Sequence, residues 1–98
     1  MIVFARVSDV EVIAERTLRV VFTDGLVREM DFTGVLSGVL AELDSDEAFA
    51  AVAVDPVAGT LSWPGGIDMD PDVLHGDEPA ASPHAPMLVR EYRVERTI

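Results

Sequence analysis

The sequence predicts an α+β fold: a small, mostly antiparallel sheet in the order β-β-β-α-β-β-α, with its helices on one face. Three observations predict it. Apolar residues alternate with period two over most of residues 7–32. The pair Asp24-Gly25 separates two of these alternating runs. After Thr33 the apolar spacing lengthens to that of a helix, and short alternating runs return near residues 52 and 60.

Residues 7–14 read as a first strand, with Val7, Asp9, Glu11 and Ile13 on one side and Val10, Val12 and Ala14 on the more apolar other. Residues 17–23 read as a second, with Leu18, Val20 and Phe22 on one face. Asp24-Gly25 then predicts a type I′ hairpin, which needs positive φ at both central residues. Residues 26–32 form the third strand, with Leu26, Met30 and Phe32 able to point inward. From 33 to 43, Val35, Leu36, Val39, Leu40 and Leu43 share one helical face. Thr33 is a plausible N-cap. Gly34 and Gly38 weaken that helix, each costing about 1 kcal/mol against Ala. Asp44 to Glu47 breaks the run, Asp46 caps a short turn, and the Phe49 ring reaches the core. Residues 52–55 and 60–63 form two further strands around a Pro-Gly-bearing turn. Pro64-Gly65 suits the centre of a type II turn. Asp70 and Pro71 suit the N-cap and first position of a short helix ending at Leu74.

These elements make one compact domain over residues 1–76. Residues 77–86 hold three prolines and few core formers, and read as a linker. Residues 87–98 read as a separate arm.

The chain has 98 residues, 49% of them hydrophobic, enough for one core. At this size roughly two-thirds of the unfolded surface is buried. There is no cysteine, so no disulfide or thiolate metal site is available. Charged residues interrupt the N-terminal apolar stretch, so a signal peptide is not expected. No apolar run approaches the ~18–20 residues that cross a bilayer. A soluble, cytoplasmic protein without membrane attachment is the expectation. The net charge is −11, and all seven basic residues are arginine. That charge repels nucleic acid, whose binding draws on neutralised phosphates. It favours a basic protein partner.

The tract from Trp63 to His75 carries the sole Trp, two prolines, adjacent glycines and three carboxylates. Together with Asp9-Val10, Leu18 through Gly25, Asp31, Leu43, Phe49 and Val54-Asp55, the string Trp63-Pro64-Gly65-Gly66-Ile67-Asp68, with Pro71 and Leu74, resembles the small bacterial family called domain of unknown function 2442. The resemblance covers about residues 7–75. His75 stands where the family's usual ending has an aromatic. Relatives that carry a C-terminal helix-turn-helix need more chain than follows Gly76 here, so DNA binding is not carried over. The resemblance implies a protein partner, because such proteins are often encoded beside another small protein in an arrangement like a toxin–antitoxin pair. It implies no activity.

Candidate chemistry is sparse. Asp68, Asp70 and Asp72 have the spacing that opens a calcium loop, but positions six and twelve fall on Val73 and Pro79 instead of Gly and Glu. Asp70 is better read as a cap with Asp72 in the favourable first turn, and Asp68 as an acceptor of backbone N–H groups across its turn. No metal, cofactor or catalytic residue is expected. His84 lies in the linker and His75 closes the last helix. A small hydrolase or metal-dependent enzyme using His75 and Asp68 is the alternative. The candidate partner-binding residues are the acidic cluster Glu42, Asp44, Asp46 and Glu47, together with Arg90, Tyr92 and Arg93 on the arm. Structural roles fall to Asp24, Gly25, Trp63, Pro64, Gly66, Asp68, Asp70 and Pro71. The expected function is a non-catalytic, acidic protein-binding module, antitoxin-like, with the arm adding a strand to its own sheet or to a second copy, making a homodimer, as the competing outcome.

Overall fold

A computed structural model of the protein describes residues 6–36, 38–69, 71–76 and 86–94. Mostly antiparallel sheets dominate it, and helices are few. Two sheets are present where one was expected. Strands β1 (Val7–Ala14), β2 (Thr17–Phe22) and β3 (Leu26–Asp31) form a meander, and β7 (Met87–Arg93) pairs with the far side of β3. Strands β4 (Ala53–Asp55), β5 (Thr60–Trp63) and β6 (Ile67–Asp68) form a second, smaller sheet. The helices α1 (Asp46–Ala50) and α2 (Pro71–His75) are each five residues long.

Residues 87–93, read from sequence as an arm with pairing to its own sheet as a competing outcome, are a strand of the first sheet, with Leu26 opposite Arg93 and Asp31 opposite Met87. This makes β3 a central strand, buried on both faces. Val27 and Glu29, which point away from the main core, are nevertheless buried. Residues 77–85, which hold most of the expected linker, lie outside the described residues, as do 95–98.

The helix expected over 33–43 is replaced by two 3₁₀ segments, Thr33–Val35 and Gly38–Leu43. Poor helix formers at 34 and 38 leave too little propensity for a continuous α-helix, and the tighter turns still bury Val35, Leu36 and Leu43. Helix α1 is capped by Ser45, whose Oγ accepts from the Ala48 N–H at 3.1 Å, so Asp46 is its first residue and not its cap.

The hairpin at Asp24-Gly25 exists, but in another form. Gly25 has φ +91° and Asp24 does not adopt a positive φ. The Gly25 N–H donates to Phe22 O at 3.0 Å, and the Asp24 carboxylate accepts from the Leu26 N–H at 3.0 Å. This is a three-residue loop, a type I turn followed by one left-handed residue. In β1 the pairing slips between Val7 and Asp9 and again between Val12 and Ala14. Each slip inserts one residue and exchanges the two faces. Strict alternation therefore misplaces its side chains: Val7 is buried, Val10 half-buried and Val12 exposed.

The core lies where the two sheets and the turns meet. Phe22, Phe32, Phe49, Leu18, Met30, Leu61, Leu74 and Val20 are fully enclosed. Burying each such side chain contributes about 1.5–3 kcal/mol. The Phe32, Phe49 and Trp63 rings run in series, with centroids 5.8 and 6.1 Å apart. The Val7 N–H donates to Gly59 O at 2.8 Å, which ties the two sheets together at the backbone. Among the described residues no helix is long and apolar enough to cross a membrane.

Candidate functional site

Three places gather the residues that carry chemistry. The first is the end of the β1–β2 hairpin, where it meets α1. Arg16 occupies the turn with φ +57°, and its carbonyl accepts from the Phe32 N–H at 2.7 Å. Its guanidinium is largely buried. Nη1 is 2.8 Å from Asp46 Oδ1, Nε is 3.2 Å from Asp44 Oδ1, and the group lies 5.7 Å from the centre of the Phe49 ring. The hydrogen bond to Asp46 raises the Arg16 pKa above its ordinary value, partial burial opposes this, and Asp44 adds to it. Two of the four acids expected to meet a partner, Asp44 and Asp46, are thus already engaged by an arginine of the same chain. Glu42 and Glu47 are exposed. Beside this ion pair lies a groove of about 490 Å³, lined by Val12, Ile13 and Ala14 on one wall, Phe49 and Ala50 on the other, and Glu15, Arg16 and Asp46 at its end.

The second place is the outer face of the four-stranded sheet. Arg19 on β2 reaches Glu11 on β1 at 2.9 Å and Glu29 on β3 at 3.3 Å. The Glu29 hydrogen bond is the main cause that raises the Arg19 pKa. Arg90 stands opposite Glu29, and its guanidinium lies 4.7 Å from the centre of the Tyr92 ring. Tyr92 is half-buried beside Val27, so it helps to cover the outer face of β3. Along the same strand Met87, Leu88 and Val89 are exposed to 63%, 43% and 57%. Among the described residues no strand pairs with β7 on its far side.

The third place joins the β2–β3 loop to the end of α2. His75 Nε2 is 2.8 Å from Asp24 Oδ2, and its ring meets Phe22 edge-on at a centroid distance of 4.8 Å. Arg93 reaches the same carboxylate at 3.6 Å. Burial alone would raise the Asp24 pKa, but the Leu26 N–H, His75 and Arg93 together hold it below its ordinary value. Arg28, on the inward face of β3, donates to the Leu74 carbonyl at 2.7 Å and stands 3.0 Å from Glu91. This satisfies one of the carbonyls that a helix end leaves open and links α2, β3 and β7.

His75 is therefore paired with Asp24; the enzyme alternative named Asp68 as its partner. Asp68 lies in β6, with its side chain outside the described residues, and Asp70 falls outside them altogether. Pro71 opens α2. Trp63 is buried, and its Nε1–H donates to the Phe49 carbonyl at 3.0 Å. The exposed turn after it, Pro64-Gly65-Gly66, has positive φ at both glycines. Among the described residues, no three His, Asp or Glu side chains are grouped to hold a metal ion.

Sequence reasoning missed Arg16, Arg19 with Glu29, and Arg28. Arg28 had a signal: an arginine alternating with Leu26 and Met30 on an inward face needs an internal acceptor. Arg16 had none, because its acids lie 28 and 30 residues away.

No curated protein and no solved structure matches the chain. A family described as Protein of unknown function (DUF2442) matches residues 7–79, which takes in the first three strands, the acidic turn, the second sheet and α2. The chain belongs to the DUF2442 family.

Proposed function

We propose that this protein is a non-catalytic binding module that captures a small basic protein, antitoxin-like in its mode of action, and works in the cytoplasm without direct contact with nucleic acid or membrane. The observation that carries the reading is β7. An edge strand with Met87, Leu88 and Val89 exposed presents backbone donors and acceptors beside apolar side chains, and such edges are templates for an added strand. The net charge of −11 supports a basic partner, because opposite fields steer encounter. Tyr92 and Arg93 take a different part from the one expected of an arm. Tyr92 packs on β3 and Arg93 on the Asp24 loop, so Leu88 and Val89 are the anchors offered to the partner.

The test is capture from the native host with tagged full-length protein, followed by mass spectrometry. Wild type and Val89→Lys, which places a charge on the open edge, are run side by side. The expected result is a small basic protein retained in stoichiometric amount by wild type and lost by the variant. Equal retention by both would remove β7 from the site. A wild-type protein that retains nothing and elutes as a dimer, where Val89→Lys elutes as a monomer, would replace the reading with self-association.

A further inference from the structure

We infer that the groove between β1 and α1 is a second docking surface, and that its occupant is an extended, arginine-bearing segment of a protein partner with apolar residues between its cations. The inference rests on the proposed function for the identity of the natural partner, and on the groove alone for its chemistry. The walls are apolar: Val12 is 40% exposed, Ala14 and Ala50 are open to solvent, Ile13 is half-buried, and the Phe49 ring is enclosed. The end and rim are acidic. Glu15 and Asp46 line it, with the Asp46 side chain 89% exposed, and Asp44 and Glu47 stand beside them on the same turn. Arg16 is the one cation in the lining, and it is spent on Asp44 and Asp46 from beneath.

Charge complementarity selects the occupant. A carboxylate-bearing segment would face Glu15, Asp46 and Glu47. A wholly apolar one would leave those acids desolvated without a partner, at a cost. A segment that alternates arginine with valine or leucine lays its apolar face on Val12, Ala14 and Ala50 and turns its guanidinium groups to the rim. Arg16 shows in this chain that a guanidinium fits between these carboxylates and the Phe49 ring. A second arginine adds to the exposed oxygens of Asp46 without displacing it. Among the described residues β1 pairs as a strand only with β2, and the second sheet closes its Val7 end through the hydrogen bond to Gly59 O, so the groove lies toward its Val12–Ala14 end.

The probe is a short synthetic peptide alternating arginine with valine, with a glutamate-for-arginine version as its control. Titration into isotopically labelled full-length protein, followed by amide NMR, should move signals of residues 12–16 and 46–50 first. Ala50→Arg and Ala14→Arg, from opposite walls, should each weaken binding about tenfold or more. Ala58→Arg, on the exposed β4–β5 turn, changes net charge equally and should leave it unchanged. The free spectra report whether each variant is folded, and two independent walls protect against loss of one. Absence of binding, shifts centred elsewhere, or equal weakening by Ala58→Arg would overturn the inference, the last by showing a general attraction to an acidic protein. Capture of a native partner that depends on β7 and ignores Ala50→Arg would overturn the groove and leave the proposed function standing.

Discussion

Replacing Gly25 with valine should unsettle the first sheet more than its small size suggests. Gly25 has φ +91°, and a Cβ built there would stand 2.8 Å from the backbone carbonyl oxygen of Val94. A left-handed backbone costs an L residue about 1–2 kcal/mol. The obstacle is main chain and not the end of a flexible side chain, so relief requires β3 and the end of β7 to part. That parting stretches the 2.9 Å hydrogen bond from the Val94 N–H to Gly25 O, for about another 1 kcal/mol. The restricted unfolded chain offsets roughly 0.4–1 kcal/mol. The net loss is about 1–2.5 kcal/mol, which for a domain of this size lowers Tm by roughly 5–20 °C. Urea unfolding followed by far-UV circular dichroism and by the fluorescence of Trp63, which sits in the other sheet, should show both signals shifting together. Gly34→Ala is the control, because nothing lies within 4 Å of the added carbon and its φ is ordinary. A loss below about 0.5 kcal/mol for Gly25→Val, or one matched by Gly34→Ala, would refute the contact between this loop and the end of β7.

Asp24→Asn should lower stability at neutral pH. The folded carboxyl titrates below its ordinary value, so its contribution is complete above the unfolded pKa and disappears as pH falls through the folded one. The gap between wild type and variant should therefore close as pH drops below about 4; a gap constant from neutral to acid would show that the charge is not what matters. Arg16→Gln should lower the melting temperature by a few degrees, and molar salt should shrink that difference, because the Asp44 and Asp46 partners are exposed and screened. A salt-independent loss would point to packing on Phe49 instead. Melts in EDTA, calcium and zinc should coincide; a rise of several degrees with calcium would reopen the Asp68, Asp70 and Asp72 spacing as a metal loop.

Local chemistry was legible and long-range pairing was not. The Asp24-Gly25 hairpin, the apolar faces of β2 and β3 and the burial of Phe49 all follow from period and turn residues within a few positions. The turn type did not follow, since one positive φ with a hydrogen-bonded Asp side chain satisfies the same two letters as a type I′ turn. The two slips in β1 leave no mark in composition, so faces assigned by alternation are exchanged after Ser8. The place of β7 was legible only as a competing outcome, a strand added to its own sheet, with no sign of which strand it joins. Met87 to Arg93 is largely exposed, which looks like an arm when only its own residues are weighed. Its docking is visible only from β3, where Val27 and Glu29 need a cover. The acidic cluster was found as a cluster, but its internal cation comes from a distant hairpin.

The position of β7 also sets an order of events. Asp24 and Arg93 meet across 69 residues of chain. Bringing such distant positions together costs loop entropy before any contact compensates it. The β1–β2 and β2–β3 hairpins close locally and have no such wait. During synthesis, β3 therefore emerges long before its second neighbour, with Val27 and Glu29 uncovered and one side of its backbone unpaired. The stage at which this acidic protein is most open to aggregation, or to capture by a chaperone, is the interval between the making of residue 31 and the arrival of residue 93.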